Sequence, residues 1–233
     1  MVITSFNFFV FLLIGVTIYY VVPGRVQWIV LLVMSMIFYH FAAVDYTILF
    51  LLFSTFTAWM ATNLLQWMVK SNSTSARKWV TAITVGAVFF NFCAWFLLKG
   101  SSFWITTSRF INGYISTFPI LSVLPVAGAL GMGYYTAQVI GYIIDCYWEN
   151  VKPQKNFLKL FLFVSFFPQL TVGPISKYSQ LECLYEKHSF SYQNLCFGCQ
   201  RILWGMFKKI VVSDRIRILT SAIWNNQAYY VGF

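Results

Sequence analysis

The residues able to do chemistry in this chain are few, and two stretches hold most of them. In GMGYYTAQVIGYIIDCYW (Gly131 to Trp148), Gln138 and Asp145 lie seven residues apart. Two helical turns separate them, so they share a helix face with Tyr135 and Tyr142 close by. In NFLKLFLFVSFFPQLTVGPISKY (Asn156 to Tyr178), Pro168, Gln169, Gly173, Pro174 and Lys177 crowd into the end of an otherwise apolar run. An amide, a carboxylate and phenols on one face make a polar strip suited to a substrate path. The plainer alternative is that Asp145 caps the helix or pairs with a nearby Lys or Arg. Pro168 removes a helix hydrogen bond, and broken backbone at membrane depth survives only inside protein or beside a water-filled cavity. The second stretch therefore reads either as a re-entrant hairpin lining a chamber or as a kinked span packed against its neighbours.

Other chemistry is thinly represented. The sequence has two histidines. His40, in FYHF, reads as an interfacial or packing residue, and His188, in a polar loop, as a solvated one. Ser165 and Ser176 have no His–Asp pair near them in sequence, so a hydrolase triad is not supported. Cys196 and Cys199 have C-x-x-C spacing but no second ligand pair. The five cysteines are an odd number in apolar surroundings, which argues against a disulfide framework. No catalytic residue and no metal ligand is assigned.

The elements that must position these residues follow from composition. Of 233 residues, 59% are hydrophobic, 21% aromatic and 9% charged. A soluble domain carries about 25% charged residues, so this composition excludes a soluble enzyme and a disordered tail and leaves a multi-pass membrane protein. A spanning helix needs about 20 mostly apolar residues. Stretches free of charge run from Met1 to Gly24, Val26 to Val44, Tyr46 to Val69 and Trp79 to Leu98. A fifth span is expected over Val123 to Tyr147. The expected fold is all-α, with about five transmembrane helices, a re-entrant hairpin and amphipathic interfacial helices. The first segment lacks the basic start and small-residue cleavage site of a signal peptide and reads as a retained helix.

The net charge of +10 fits loops at a membrane surface better than nucleic-acid binding. Arg25 follows the first span, Asp45 the second, and Lys70, Arg77 and Lys78 the third, while Lys152, Lys155 and Lys159 follow the fifth. The positive-inside rule puts the basic loops in the cytoplasm and the N-terminus outside. Phe103–Ile120, with Arg109, is then expected at the outer face or dipping into the membrane. From Leu195 to Leu219, Ile202, Met206 and Ile210 share one face, and Arg201, Lys208, Lys209 and Arg215 gather away from it. That pattern predicts a basic amphipathic helix at the cytoplasmic interface.

Three blocks carry a resemblance to a known family. GMGYYTAQVIGYIIDCYW is similar to G-I-S-F-Y-T-F-Q…Y-x-I-D-V-Y-R-G. NFLKLFLFVSFFPQLTVGPISKY is similar to N-F-x-x-x-x-x-Y-x-x-F-F-P-Q-x-x-x-G-P-I-x-R-Y, and RILWGMFKKIVVSDRI to G-L-F-K-K-V-x-x-A-D. The chain thus resembles the membrane-bound O-acyltransferases, in the bacterial branch of alginate O-acetylation and D-alanyl transfer. Gly133 replaces the usual Ser, Ala137 the usual Phe and Trp148 the usual Arg.

The resemblance implies transfer of an acyl group, with acetyl expected, to a hydroxyl of a cell-envelope polysaccharide or polymer. The donor would be a cytoplasmic thioester (acyl-CoA or an acyl carrier protein), with no bound cofactor. Partners would be the lipid bilayer, the donor, the glycan acceptor and an extracytoplasmic acyltransferase, with no nucleic acid. The location would be the cell membrane. The family's catalytic histidine follows a downstream arginine-tryptophan-histidine block that neither His40 nor His188 matches. Residues 1–233 are therefore read as one membrane domain, the N-terminal portion of a longer acyltransferase. Tyr135, Gln138, Tyr142, Asp145, Pro168, Gln169, Gly173, Pro174 and Lys177 are expected to line its chamber or substrate path. The alternatives are a non-catalytic truncated scaffold or a transporter.

Overall fold

A computed structural model describes residues 6–42, 47–69, 74–99, 131–170 and 173–225. Among the described residues there are helices and connecting loops and no strand. Four long apolar helices come first: α1 (Phe6–Val21), α2 (Gln27–Ala42), α3 (Thr47–Val69) and α4 (Thr74–Lys99). Then come α5 (Met132–Tyr147), the short α6 (Phe157–Ser165), and the single turns α7 (Phe167–Leu170) and α8 (Tyr178–Leu181). Two stretches, Ile48–Val69 and Lys78–Phe96, are long and apolar enough to cross a membrane. Phe6–Val21 and Gln27–Phe41 are apolar but shorter. Of the expected fifth span, Met132–Tyr147 is described as helix, and residues 123–130 and Phe103–Ile120 lie outside the described residues.

The core gathers around α6. Leu160 through Ser165 are all buried, and the helix packs against α2, α3 and α5. A helical segment buried on every side needs no amphipathic stripe, which fits the unbroken apolar run from Leu160 to Val164. Tyr135, Val139, Tyr142 and Ile143 of α5 and Leu51 of α3 join its side chains in one cluster. A second cluster ties α1 to α2 and α7: Phe11 and Phe38 meet the Phe167 ring edge-on and tilted, each with centroids 5.7 Å apart.

Apolar surfaces alone align helices poorly in lipid, because the tails are as apolar as the side chains. Between α3 and α4 the alignment comes from a buried amide. Ser54 Oγ donates to Asn91 Oδ1 at 2.6 Å, and Asn91 Nδ2 donates to Thr57 Oγ1 at 3.1 Å and to the Ala87 carbonyl at 2.9 Å. Ser54 and Asn91 are each 1% exposed.

The basic segment departs from the single helix expected over Leu195–Leu219. It starts earlier, as α9 (Tyr192–Phe207), because the Ser191 side chain caps it by accepting from the Asn194 N–H. It then widens into a π-helical stretch, Lys208–Ser213, and continues as α10 (Asp214–Asn225). The wider turn suits an ion pair between residues five apart, Lys209 and Asp214, with Nζ and Oδ2 at 3.8 Å. No residue of α9 or the π stretch is buried.

Asn91→Ala removes the α3–α4 clamp and lowers stability by about 1–2 kcal/mol. Gly86→Ala, on the same helix with open space beside it, is neutral or stabilising. Thermal unfolding of the two variants in one detergent checks the contrast.

Candidate functional site

The site begins with a break in the backbone. Pro168 has no N–H, and its ring would strike the Val164 carbonyl if the helix ran on. So α6 stops at Ser165, Phe166 turns out to φ −56°, ψ 109°, and α7 starts anew at Phe167. A helix end leaves carbonyls and N–H groups without intrahelical partners, and in an apolar interior each needs a replacement. Gln138 Nε2 donates to the Phe163 carbonyl at 3.2 Å. Ser35 Oγ, from α2, accepts the Phe167 N–H at 3.3 Å. Two residues far from the break in sequence therefore hold it open.

The amides connect onward. Gln138 Nε2 also donates to Gln169 Oε1 at 3.3 Å, and Gln169 Nε2 donates to Ser176 Oγ at 2.7 Å. The Gly173 N–H returns to the Gln169 carbonyl at 3.2 Å. This turn packs so closely that a Cβ on Gly173 would run into the Gln169 backbone. Gly131, at the start of α5, has φ +69°, a left-handed conformation that suits glycine. A Cβ there would strike the Leu170 carbonyl, so α5 abuts the end of α7 through a glycine.

A second network closes the other end of α6. Asn156 caps the helix by accepting from Leu158 N–H at 3.0 Å. The Tyr142 hydroxyl accepts the Gln154 N–H at 2.8 Å, and Gln154 Nε2 donates to the Tyr178 hydroxyl at 2.9 Å. Tyr185 donates to the Lys159 carbonyl at 2.8 Å. The Lys159 ammonium lies over the rings of Tyr185, 5.2 Å from the centroid, and Trp28, 5.9 Å. Burial pushes the phenols of Tyr178 and Tyr185 above their ordinary range, so both stay protonated at neutral pH.

Of the residues singled out in the sequence, Gln138 and Gln169 meet directly. Tyr135 and Tyr142 are each 1% exposed, within the core beside them. Asp145 is half-buried farther along α5. The one salt bridge among the described residues joins Lys209 and Asp214, so no described cation neutralises Asp145 at that range. Pro168, Pro174 and Lys177 are exposed and Gly173 half-buried around the turn. Gly141 is exposed with nothing beside it among the described residues, whereas Gly133 lies near the Trp95 ring, with 3.7 Å from a Cβ to Nε1. His40 is exposed against Phe41, ring centroids 5.7 Å apart.

His188 is exposed but not merely solvated. Its backbone pairs twice with the buried Gln27 side chain, both at 2.9 Å, and its Nδ1 meets the Tyr19 hydroxyl at 3.0 Å. Ser176, Gln154, Ser35 and Gln27 carried no signal in the sequence. Each is an isolated polar residue whose partner lies on another element, and periodicity does not register such pairs.

The arrangement is a polar seam opened by a helix break, and the sequence that forms it is similar to known proteins. A probable alginate O-acetylase of Azotobacter vinelandii is 26% identical over 210 residues, covering 89% of this chain and 40% of that protein. Its counterpart in Pseudomonas aeruginosa is 26% identical over 219 residues, 92% of this chain and 40% of that protein. The chain is similar to the alginate O-acetylases over about 90% of its own length. Its resemblance to the membrane-bound O-acyltransferases is thereby borne out. A peptidoglycan O-acetyltransferase of Helicobacter pylori is also 27% identical, over 153 residues, 54% of this chain and 27% of that protein. The chain spans about 40% of the length of the alginate O-acetylases it matches. No family model matches it, and no solved structure does.

Two outcomes follow from this geometry. Gly131→Ala forces a side chain into the left-handed region and against α7, and costs about 1–2 kcal/mol; thermal unfolding measures it. The raised phenol of Tyr185 favours the neutral form in the folded state. Its contribution is full below the unfolded value of about 10 and is lost as pH rises through the folded value. In an alkaline absorbance titration, Tyr185→Phe removes a phenol that ionises well above pH 10. Loss of an ordinary phenol titrating near 10 would contradict the assignment.

Proposed function

We propose that this chain is the front portion of a membrane O-acyltransferase that moves an acetyl group from a cytoplasmic thioester to a hydroxyl of a cell-envelope polysaccharide. The observation that carries the reading is the homology to acetyltransferases named for alginate and for peptidoglycan, covering about 90% of this chain for the alginate enzymes. Both acceptors are hydroxyl-bearing carbohydrate polymers, so the shared reaction is acyl transfer to a sugar oxygen.

The chemistry asks for a base beside the acceptor hydroxyl and hydrogen-bond donors aimed at the thioester carbonyl in a site without water. The family's base belongs to a downstream histidine block that this sequence does not contain, so these residues supply walls and positioning. In this reading about five helices cross the bilayer, with the N-terminus outside, and α6 with α7 forms a re-entrant hairpin. At about 1.5 Å per residue, the nine residues of α6 reach about half of a 30 Å hydrocarbon core. The burial of Leu160 through Ser165 in protein supports a segment that enters without crossing. Tyr135, Gln138, Tyr142 and Asp145 on α5 and Pro168, Gln169, Gly173, Pro174 and Lys177 on the hairpin then border the chamber. The basic arm from Arg201 to Arg217 lies on the cytoplasmic surface, where anionic lipid or an anionic donor carrier meets it.

The test is transfer of labelled acetyl from a thioester donor to envelope polysaccharide in membranes carrying the intact gene. The expected outcome is ester-linked label that mild alkali releases; labelled solute accumulating in vesicles instead would point to transport. Orientation is read separately. Asn72→Cys is expected to react with an impermeant thiol reagent only in inside-out vesicles, and reaction in right-side-out cells would reverse the topology.

A further inference from the structure

The amide chain at the helix break has a direction, and the direction is imposed by a group that cannot reverse it. The Phe163 carbonyl only accepts, so Gln138 must turn its NH2 toward it, at 3.2 Å. The same nitrogen reaches Gln169 at 3.3 Å, so Gln169 must present its oxygen there and its NH2 on the other side. That NH2 donates to Ser176 Oγ at 2.7 Å. Ser176 is thus an acceptor toward Gln169, and its own proton is left to be donated elsewhere. The turn bearing Ser176 is fastened at Gly173 to the Gln169 backbone. Ser176 is half-buried between the exposed Ile175 and Lys177, at the rim of the seam. A hydroxyl whose acceptor side is occupied and whose turn is held is a preorganised donor.

We propose that Ser176 is a substrate-contacting residue whose hydroxyl donates a hydrogen bond to the carbonyl oxygen of the acyl thioester, aimed by Gln169 and Gln138 as positioning residues. The inference rests on the acyltransferase reading above. No covalent bond forms at Ser176. Its proton stays on oxygen while negative charge develops on the acyl carbonyl, and the hydrogen bond strengthens as it does.

Steady-state transfer by the full-length enzyme tests the assignment. Ser176→Ala is expected to lower kcat about 10²-fold with little change in the KM for the thioester, and Ser176→Thr, which keeps the hydroxyl, retains most of the rate. Gln169→Glu is the sharper variant. It still accepts from Gln138, but its carboxylate no longer donates to Ser176 and draws the serine proton to itself. It should therefore lose about as much kcat as Ser176→Ala, and the double variant should be no worse than either single one, because both remove the same donor. Thermal unfolding identifies any variant that merely misfolds. Wild-type turnover by a folded Ser176→Ala enzyme overturns the proposal, and so do fully multiplicative losses in the double variant. Absence of transfer by the unsubstituted enzyme instead overturns the acyltransferase reading itself.

Discussion

A helix that ends in an apolar interior must find new partners for the backbone groups it strands, and the rest of this structure is arranged around that demand. Pro168 makes the break unavoidable. Gln138 takes the Phe163 carbonyl and Ser35 takes the Phe167 N–H. Those two bonds tie α6 and α7 to α5 on one side and to α2 on the other. Without them the break would expose polar backbone to hydrocarbon at several kcal/mol per group. With them, a segment too short to span a bilayer sits at the centre of the helix cluster.

The same satisfied break orients the polar groups of the seam. An amide recruited to cap a carbonyl has its remaining donor and acceptor oriented as well. Gln138 passes that orientation to Gln169, and Gln169 passes it to the Gly173–Lys177 turn. Structural satisfaction and the proposed preorganisation of Ser176 are therefore one arrangement, since the donor set that keeps the fold closed also leaves the seam polarised. The lower network of Tyr142, Gln154, Tyr178 and Tyr185 does the corresponding work at the start of α6. It keeps Lys159 between two aromatic rings, where a cation gains from their faces with no carboxylate partner among the described residues.

Much of the fold was legible in the sequence because lipid imposes simple rules. Charge-free runs of adequate length marked α3 and α4, and the clash of Pro168 with helical continuation marked the break. The seven-residue spacing put Gln138 and Asp145 on one face of α5 without saying what that face meets. Less legible were the extent and phase of the basic arm, where a serine cap moved its start and a π stretch shifted its register. His188 read as a solvated loop residue because its partners, Gln27 and Tyr19, belong to helices more than 150 residues earlier by chain number.

What the sequence determined by itself is the class of molecule, its apolar helices, the position of the helix break and the family likeness carried by three blocks. Each depends on local composition, on spacing along one element, or on a residue such as proline whose effect is confined to its neighbours. Only the tertiary structure decided which polar groups complete one another: Gln138 with Phe163 and Gln169, Gln169 with Ser176, Ser35 with Phe167, and Asn91 with Ser54 and Thr57. The physical reason is that a buried hydrogen bond is a relation between two elements, and one-dimensional patterning describes each element's faces without saying which atoms of another element will meet them.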